Sequence, residues 1–159
     1  MACALRPEDF YHTGIVVPDL GVAMVRLSAL AGYRWITPLT YTLPLRTATG
    51  THEFTSTFVY SLQSPHVELI QEVPGSPWTA APGNAVHHLG YFADDLAETA
   101  HLLEESGFAL EATADTSPPG PALFAYYVDP AGTRIEIVDR ALFADFPGFL
   151  QSAAAPDES

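Results

Sequence analysis

Apolar and polar positions follow the same order twice along the chain. The segment 11–20, YHTGIVVPDL, alternates like a half-buried strand and aligns without gaps on 87–96, HHLGYFADDL. The offset is constant at 76 positions, and four of the ten aligned residues are identical: His12/His88, Gly14/Gly90, Asp19/Asp95 and Leu20/Leu96. A repeat of this kind predicts an internal duplication.

A helix is predicted directly after each copy. In both helices the apolar residues recur at spacings of three and four, which is the periodicity of a helix with one apolar face. Asp19 and Asp95 are natural N-caps, and Gly32 and Gly107 are C-terminal stops. The two halves therefore begin with a strand and an equivalently capped helix.

Each half ends in a short apolar strand with one acid inside it. The first of these strands, VELI, contains Glu68, and the second, IEIV, contains Glu136. With the β-rich stretch that precedes each of them, each half has the order strand, helix and about three strands, written βαβββ. The predicted fold class is therefore α+β, with two tandem βαβββ modules.

A segment rich in proline and glycine separates the two halves. Such a segment cannot continue a sheet, so it predicts a linker. The last residues, AAAPDES, lack apolar periodicity and predict a solvated tail. The expected boundaries are an N-terminal extension at 1–8, a first module at 9–73, a linker at 74–84, a second module at 85–140, and a C-terminal extension and tail at 141–159.

Composition and charge narrow the range of functions. With 48% hydrophobic residues the 159-residue chain can form a packed interior, and 6 basic against 19 acidic residues give a net charge of −13. This charge repels nucleic acids and anionic membranes, and no apolar run reaches the roughly 20 residues that span a bilayer. The first residues, MACALRPEDF, lack a secretion signal, so we expect a cytoplasmic protein. The one cysteine, Cys3, cannot form an intramolecular disulfide.

Four titratable side chains occupy equivalent positions in the two halves. His12 and His88 share the same place in the alternation of their strands. Glu68 and Glu136 lie among aliphatic neighbours, where an ionised carboxylate is costly unless a positive charge compensates it. A divalent cation (Zn, Ni, Co, Mn or Fe(II)) would compensate both carboxylates in a neutral site with nitrogen and oxygen donors. The alternatives are a hydrogen-bonded core histidine and a solvent-facing glutamate, such as Glu136 paired with Arg134.

The motifs YHTGIVVPDL and HHLGYFADDL, with VELI and DPAGTRIEIVD, resemble the vicinal oxygen chelate superfamily, which includes glyoxalase I, methylmalonyl-CoA epimerase, extradiol dioxygenases and bleomycin-resistance proteins. The resemblance extends from about residue 9 to 140. It implies that the two modules form a half-barrel sheet around a central cavity that holds one metal ion. His88 rather than His87 aligns with His12, so His87 points the opposite way. The metal ligands that the resemblance implies are His12, Glu68, His88 and Glu136.

The resemblance also implies an enzyme of the glyoxalase type. Such an enzyme is an isomerase, epimerase or lyase that acts by proton transfer through a metal-stabilised enediolate. A ligand carboxylate can detach when the substrate binds and then act as a base. Glu136 is the candidate for this role, and Glu68, its counterpart, would take the second proton transfer. The two roles can be reversed.

Aromatic side chains are candidates for contact with the substrate. Alternation directs either Tyr126 or Tyr127 inward, where a phenol can hydrogen-bond a substrate oxygen. Phe92 shares the strand face of His88. These residues favour a small, oxygenated and largely apolar substrate.

The distribution of charge indicates where an anionic group of the substrate would bind. The net charge is −2 over residues 1–75 and −11 over 76–159, so such a group would bind the first half, near Arg34 or Arg46. Six arginines and no lysine leave few groups for the phosphates of CoA. The stretch at 54–60 has hydroxyl groups where methylmalonyl-CoA epimerases carry an additional catalytic glutamate, which weakens the epimerase interpretation.

Two other functions stay open on the same scaffold. A non-haem Fe(II) dioxygenase would bind O₂ at an open metal position, although its usual ligand set has two histidines and one carboxylate rather than two. A non-catalytic, drug-binding resistance protein typically lacks the ligand set. We expect a homodimer, and the sequence leaves open whether the cavity closes within one chain or between two.

Overall fold

The computed structural model describes residues 2–80 and 86–157. Its first series of elements is β1 Phe10–Val17, α1 Leu20–Ala31, β2 Leu39–Thr47, β3 Gly50–Tyr60 and β4 Val67–Gln71. The second series is β5 His88–Ala93, α2 Leu96–Glu105, β6 Ala109–Ala114, β7 Phe124–Val128 and β8 Arg134–Asp139. A helix, α3 Phe146–Ala153, follows, and short 3-10 helices lie at Pro7–Asp9 and Arg140–Phe143. No helix within the described residues is both long and apolar enough to cross a membrane.

The caps of α1 and α2 are those that the sequence predicts. The carboxylates of Asp19 and Asp95 each accept a hydrogen bond from the backbone N–H three residues later, at 2.9 Å. Gly32 ends α1 in the left-handed region, with φ of 74°, which a residue with a Cβ rarely adopts. At the end of α2, Ser106 is the C-cap and Gly107 follows with φ of 93°. Both helices are therefore bounded by local chemistry.

The eight strands form one sheet, in the order β1-β4-β3-β2-β6-β7-β8-β5, which closes on itself. The fold is thus a mixed α+β fold, as predicted. The prediction of a half-barrel is wrong, because β2 pairs with β6 from Leu45↔Ala114 to Thr47↔Ala112 and so removes the open edge of the sheet. This pairing joins residues about 70 positions apart in the chain, which no local pattern indicates.

Two groups of segments are compact units in themselves. The first contains residues 2–11, 42–54 and 88–144. Its core packs the buried face of α2 on β5, β7 and β8 and contains Ala93, Ala100, Leu103, Ala125, Tyr127, Ile135 and Ile137. The second contains residues 12–41, 55–80, 86–87 and 145–157. Its buried apolar side chains include Trp35, Ile36, Val59, Leu69, Ile70, Trp78 and Leu150.

A cluster of ion pairs lies at the start of β1 in the first unit. The buried Asp9 carboxylate accepts a hydrogen bond from Arg6 Nε at 2.7 Å and another from Arg140. Arg140 Nε also donates to Asp94 at 2.6 Å. Burial alone would raise the pKa of Asp9, but the hydrogen bonds and charges of Arg6 and Arg140 outweigh it and hold this pKa below 3.8. The ionised carboxylate therefore stabilises the folded chain.

Two segments that we expected to be irregular are tied to the second unit. In the predicted linker, the Val73 N–H donates to the Trp78 carbonyl at 2.9 Å, and the Trp78 ring is buried. Residues 81–84 of that linker lie outside the described residues, as does 85, the expected start of the second module. The first residues of the predicted tail form backbone hydrogen bonds with residues 35–37. The Thr37 N–H donates to the Ala153 carbonyl at 2.7 Å, and the Ala155 N–H donates to the Trp35 carbonyl at 3.0 Å.

Candidate metal centre

The first histidine–glutamate pair lies on β1 and β4. These strands are parallel neighbours, and their register places Gly14 opposite Glu68. His12 precedes Gly14 by two residues and therefore shares its face. His12 is fully buried and Glu68 is 5% exposed. His12 Nε2 lies 3.5 Å from Glu68 Oε2.

The second pair repeats this arrangement on β5 and β8. The strands are again parallel, and Gly90 lies opposite Glu136. His88 is 1% exposed and Glu136 is 7% exposed, with His88 Nε2 at 2.9 Å from Glu136 Oε2. In both pairs a glycine lies opposite the glutamate, and the histidine comes two residues before that glycine. The two pairs are therefore equivalent in backbone register as well as in sequence.

The alternative in which Glu136 faces solvent beside Arg134 does not fit the burial of Glu136, and Arg134 has a carboxylate partner on another strand. Its guanidinium donates to both carboxylate oxygens of Glu111, from Nε at 2.9 Å and from Nη2 at 2.8 Å. Bidentate pairing of this kind holds the guanidinium against β6, which lies two strands away from β8 in the sheet. Glu136 itself is buried rather than solvent-facing.

The four side chains form a possible metal-binding group. One nitrogen or oxygen atom from each of them lies within 4.8 Å of all the others. Donors on opposite sides of a divalent ion, with bonds of about 2.1 Å, are about 4.2 Å apart, so small side-chain adjustments close the group on an ion. Two neutral imidazoles and two carboxylates balance a charge of +2, which is what buried carboxylates require. The donor set therefore fits a divalent cation. Its members are His12, Glu68, His88 and Glu136.

The two candidate tyrosines are consecutive on β7 and have different surroundings. Tyr126 lies opposite Glu136 in the pairing of β7 with β8, and its ring centroid is 5.1 Å from that of His88. Tyr127 points into the core beneath α2, where its hydroxyl donates to Glu104 Oε1 at 3.3 Å. Burial, together with the Glu104 carboxylate, raises the pKa of Tyr127 to about 12. Of these two tyrosines, Tyr126 is thus the one that lies beside a histidine of the group.

Phe92 and Arg34, the other predicted binding residues, have different surroundings. The Phe92 ring stacks on Tyr11, with centroids 3.7 Å apart, and lies 5.2 Å from the Arg140 guanidinium. Arg34 is exposed and lies 3.7 Å from the Asp157 carboxylate. It lines a surface groove of about 510 Å³ with Leu62, Ser64, His66, Pro147, Leu150, Gln151 and Ala154.

Sequence reasoning missed an aromatic series next to His12. The Tyr60 ring lies edge-on to His12 at 5.5 Å, and the Phe146 ring lies edge-on to Tyr60 at 5.4 Å. Phe146 also contacts His66, at 5.3 Å between centroids. It is the first residue of α3, inside the predicted C-terminal extension. A local signal was present, because Asp145 caps α3 by accepting a hydrogen bond from a backbone N–H and a proline follows Phe146.

Comparison with known proteins agrees with this architecture. The search of curated proteins gave no match. Methylmalonyl-CoA epimerase from Mycobacterium tuberculosis is similar in structure, with a TM-score of 0.55 and 17% identity over 87% of this chain and 92% of that chain. A Streptomyces coelicolor methylmalonyl-CoA epimerase variant, in complex with 2-nitronate-propionyl-CoA, has a TM-score of 0.54 and 17% identity over 82% and 96% of the two chains. At such identities the likeness shows a common fold.

A family model gives the assignment. The model described as Glyoxalase/Bleomycin resistance protein/Dioxygenase superfamily matches residues 11–129. This match includes three of the four group members and ends before Glu136. Since it covers most of the chain, the protein belongs to the glyoxalase, bleomycin-resistance protein and dioxygenase superfamily, the vicinal oxygen chelate superfamily that the sequence motifs resemble.

Proposed function

We propose that this protein is a metal-dependent enzyme that moves a proton on a small oxygenated substrate, as an isomerase, epimerase or lyase. The observation that carries the proposal is the convergence of two buried imidazoles and two buried carboxylates within 4.8 Å. Buried carboxylates without a compensating charge are costly, so a sequence under selection for stability alone has little reason to hold two of them together.

The proposal includes the duplicated architecture. The order strand, helix and three strands occurs twice in the chain, and the glycine that faces each glutamate has the same register in both series. We infer two βαβββ modules, each of which supplies one histidine and one glutamate. His12 and Glu68 come from the first series, and His88 and Glu136 from the second.

The four side chains would hold one divalent ion, and their nitrogen and oxygen donors suit Zn, Ni, Co, Mn or Fe(II). When bound, the ion supplies Lewis-acid stabilisation of the negative charge that develops on a substrate oxygen as an adjacent C–H loses its proton. Imidazoles are suited to remaining ligands throughout, because a ring nitrogen whose lone pair donates to the ion cannot also accept a proton from the substrate.

The carboxylates are the proposed proton carriers. A Glu136 carboxylate oxygen accepts the proton from the substrate carbon, and Glu68 handles the second transfer from the other half of the site. Burial of both groups excludes bulk water from the carbanion that forms. Tyr126, next to His88, is the proposed hydrogen-bond donor to a substrate oxygen. Tyr127 is engaged in the core by Glu104 and has no part in this step.

The groove beside Arg34 is the proposed place for an anionic group of the substrate. Its wall includes the imidazole of His66, which comes directly before β4 and two residues before Glu68. The mixed lining of this groove suits a molecule with one charged end and an apolar body. A CoA thioester such as methylmalonyl-CoA, which is bound in a similar epimerase structure, is one member of that class to be included among test compounds.

Metal analysis of protein purified without added ions tests the central proposal. We expect about one divalent ion per chain in the wild type and its loss from both H12A and E136A. The matched control is H101A, because His101 is an exposed histidine on α2 that pairs with Glu105. A metal-free wild type, or equal metal in all four proteins, would contradict the proposal, and bound iron would favour the dioxygenase alternative.

Proton transfer is tested by deuterium exchange. The metal-loaded protein is incubated in D₂O with compounds that carry a carbonyl next to a C–H, and exchange at that carbon is followed by NMR. The E136Q variant should lose this exchange while H101A keeps it. If the protein binds such compounds tightly without exchange at any carbon, the drug-binding alternative is favoured over catalysis.

A further inference from the structure

A second buried tyrosine occupies the position in the first series that Tyr126 occupies in the second. In the antiparallel pairing of β3 with β4, Tyr60 lies opposite Glu68. In the antiparallel pairing of β7 with β8, Tyr126 lies opposite Glu136. Tyr60 is 4% exposed and Tyr126 is 2% exposed. The register of the strands therefore makes the two tyrosines equivalent, although their spacing along the chain differs from that of the two histidines.

The surroundings of the two tyrosine rings are also alike. The ring centroid of Tyr60 is 5.5 Å from that of His12. The ring centroid of Tyr126 is 5.1 Å from that of His88. Each tyrosine has a phenylalanine two residues earlier on its strand, which packs edge-on at 5.8 Å between centroids in both cases, and each set lies within one compact unit. The two phenylalanines are Phe58 and Phe124.

Packing alone does not require a hydroxyl group at these two positions. Phenylalanine fills nearly the same space, and the two strands carry one two residues earlier. A buried hydroxyl also costs free energy unless it finds a partner. The residues between the two rings differ, since Val59 stands in the first strand and Ala125 in the second. The presence of a phenol in both halves therefore points to a use that the halves share at the candidate metal group.

We propose that Tyr60 is a second phenol of the site, which donates a hydrogen bond to a substrate oxygen from the first half of the chain. This inference rests on the proposed function, in which Tyr126 has the same role in the second half. As the substrate carbon loses its proton to Glu136, negative charge develops on oxygen, and a hydrogen bond from a buried phenol becomes stronger as that charge grows. Tyr60 keeps its own proton, so none of its covalent bonds is formed or broken.

Hydrogen bonds to two neighbouring segments fix the backbone around Tyr60. Its carbonyl accepts a hydrogen bond from the Ile36 N–H at 3.1 Å. The N–H of the next residue, Ser61, donates to the Val67 carbonyl at 2.8 Å. The Ser61 hydroxyl in turn accepts a hydrogen bond from the Val67 N–H at 2.9 Å. A donor on such a rigid support loses little conformational freedom when it binds a substrate oxygen.

Helix α3 adds a contact that holds the ring of Tyr60. Phe146, the first residue of α3, is 7% exposed and lies edge-on to Tyr60 at 5.4 Å, with an interplanar angle of 89°. With His12 and Phe58, it makes three edge-on aromatic contacts to the Tyr60 ring. Helix α3 follows the second series and lies outside the repeated order of elements. Phe146 is therefore a positioning residue for the Tyr60 phenol.

Calorimetric titration of the zinc-loaded protein with acetohydroxamate tests the role of Tyr60. This probe has two adjacent oxygens and carries a negative charge when it binds a metal ion. Y60F should raise the Kd for the probe about 10- to 100-fold, the loss expected for one hydrogen bond to a charged oxygen, with the zinc content unchanged. A merely structural role of the hydroxyl would lower Tm and leave this Kd unchanged. Y127F is the matched control, because the Tyr127 phenol is buried but engages Glu104 in the core, and its Kd should equal that of the wild type.

The outcomes separate this assignment from the proposed function. A wild type that holds no zinc, or that holds zinc without binding the probe, contradicts both. A wild type that binds zinc and the probe, with the same Kd in Y60F, overturns the role of Tyr60 and leaves the proposed function standing.

The positioning role of Phe146 is tested by F146L, which keeps an apolar side chain on α3 and removes the ring. F146L should raise the Kd for acetohydroxamate in the wild-type background and have no further effect in the Y60F background, because Phe146 acts through the Tyr60 phenol. Circular dichroism checks that each variant is folded. Equal effects of F146L in the two backgrounds overturn the positioning role.

Discussion

Replacing Glu136 by glutamine should stabilise the metal-free protein and reduce the stabilisation that a metal ion provides. Ligand atoms of Glu68 and Glu136 lie within 4.8 Å of each other, and both residues are buried. Two negative charges at this distance repel by about 3.5 kcal/mol at an effective dielectric constant near 20. E136Q removes this repulsion and keeps the size of the side chain. The free energy of unfolding without metal should therefore rise, by up to about 3 kcal/mol.

The same substitution should weaken the effect of a cation. An ion present at 100 times its Kd stabilises the folded state by about 2.7 kcal/mol, which corresponds to a rise in Tm of about 5–10 °C for a chain of this size. Glutamine offers a neutral oxygen in place of an anionic one, so the attraction to the ion falls. E136Q should keep less than half of the metal-induced rise in Tm.

Thermal unfolding followed by circular dichroism measures both effects. Wild type and E136Q are compared after dialysis against a chelator and again with 100 µM zinc or nickel. E105Q is the control, because Glu105 is exposed on α2 and its substitution should change neither Tm. E136Q should be the more stable protein in chelator, and its advantage over the wild type should shrink when metal is added. A variant less stable than wild type in chelator, with an unchanged metal-induced rise, would show that the four side chains do not share an ion.

Three further predictions concern other contacts. D9N should lower the free energy of unfolding by about 1–3 kcal/mol at pH 7, because it weakens the hydrogen bonds from Arg6 and Arg140. Folding lowers the pKa of Asp9, so the ionised carboxylate contributes fully to the free energy of unfolding above pH 3.8. This contribution disappears as the pH falls through the pKa that Asp9 has in the folded protein. Urea unfolding of the wild type and D9N near pH 7 and near pH 3 checks this. Y126F should leave the metal content intact and slow deuterium exchange about 10- to 100-fold, the loss expected for one hydrogen bond to a charged oxygen. R34A should raise KM about tenfold for a substrate with a carboxylate and leave KM unchanged for an uncharged analogue.

The features that the sequence predicted correctly are those with local causes. Asp19 and Asp95 cap their helices because an aspartate at that position accepts a backbone hydrogen bond within three residues. The relation between His12 and Glu68 also follows from local rules, since alternation fixes the face of each side chain once the strands are parallel neighbours. Repetition of the pattern in the second half identified the four group members without any knowledge of the sheet.

Features that depend on pairing between distant segments were not predictable from the pattern. The closure of the sheet rests on β2 and β6, whose residues alternate no differently from those of an edge strand. Alternation could not decide between Tyr126 and Tyr127, because both are apolar enough for a core and the choice depends on the register of β7 with β8. The contact of Phe146 with Tyr60 was missed because it depends on where α3 packs, which the capping signal at Asp145 does not specify.

The two halves of the chain are alike at the candidate metal group and differ on the surface of their helices. Where side chains converge on the candidate metal group, the halves have kept the same residue types in the same register, down to the glycine opposite each glutamate. The proposed ion would impose this symmetry, because losing one donor weakens binding by the whole group. On the outer faces of α1 and α2 no such constraint acts, and there the residues have changed from apolar to charged. The internal repeat thus distinguishes positions held by shared chemistry from positions free to change.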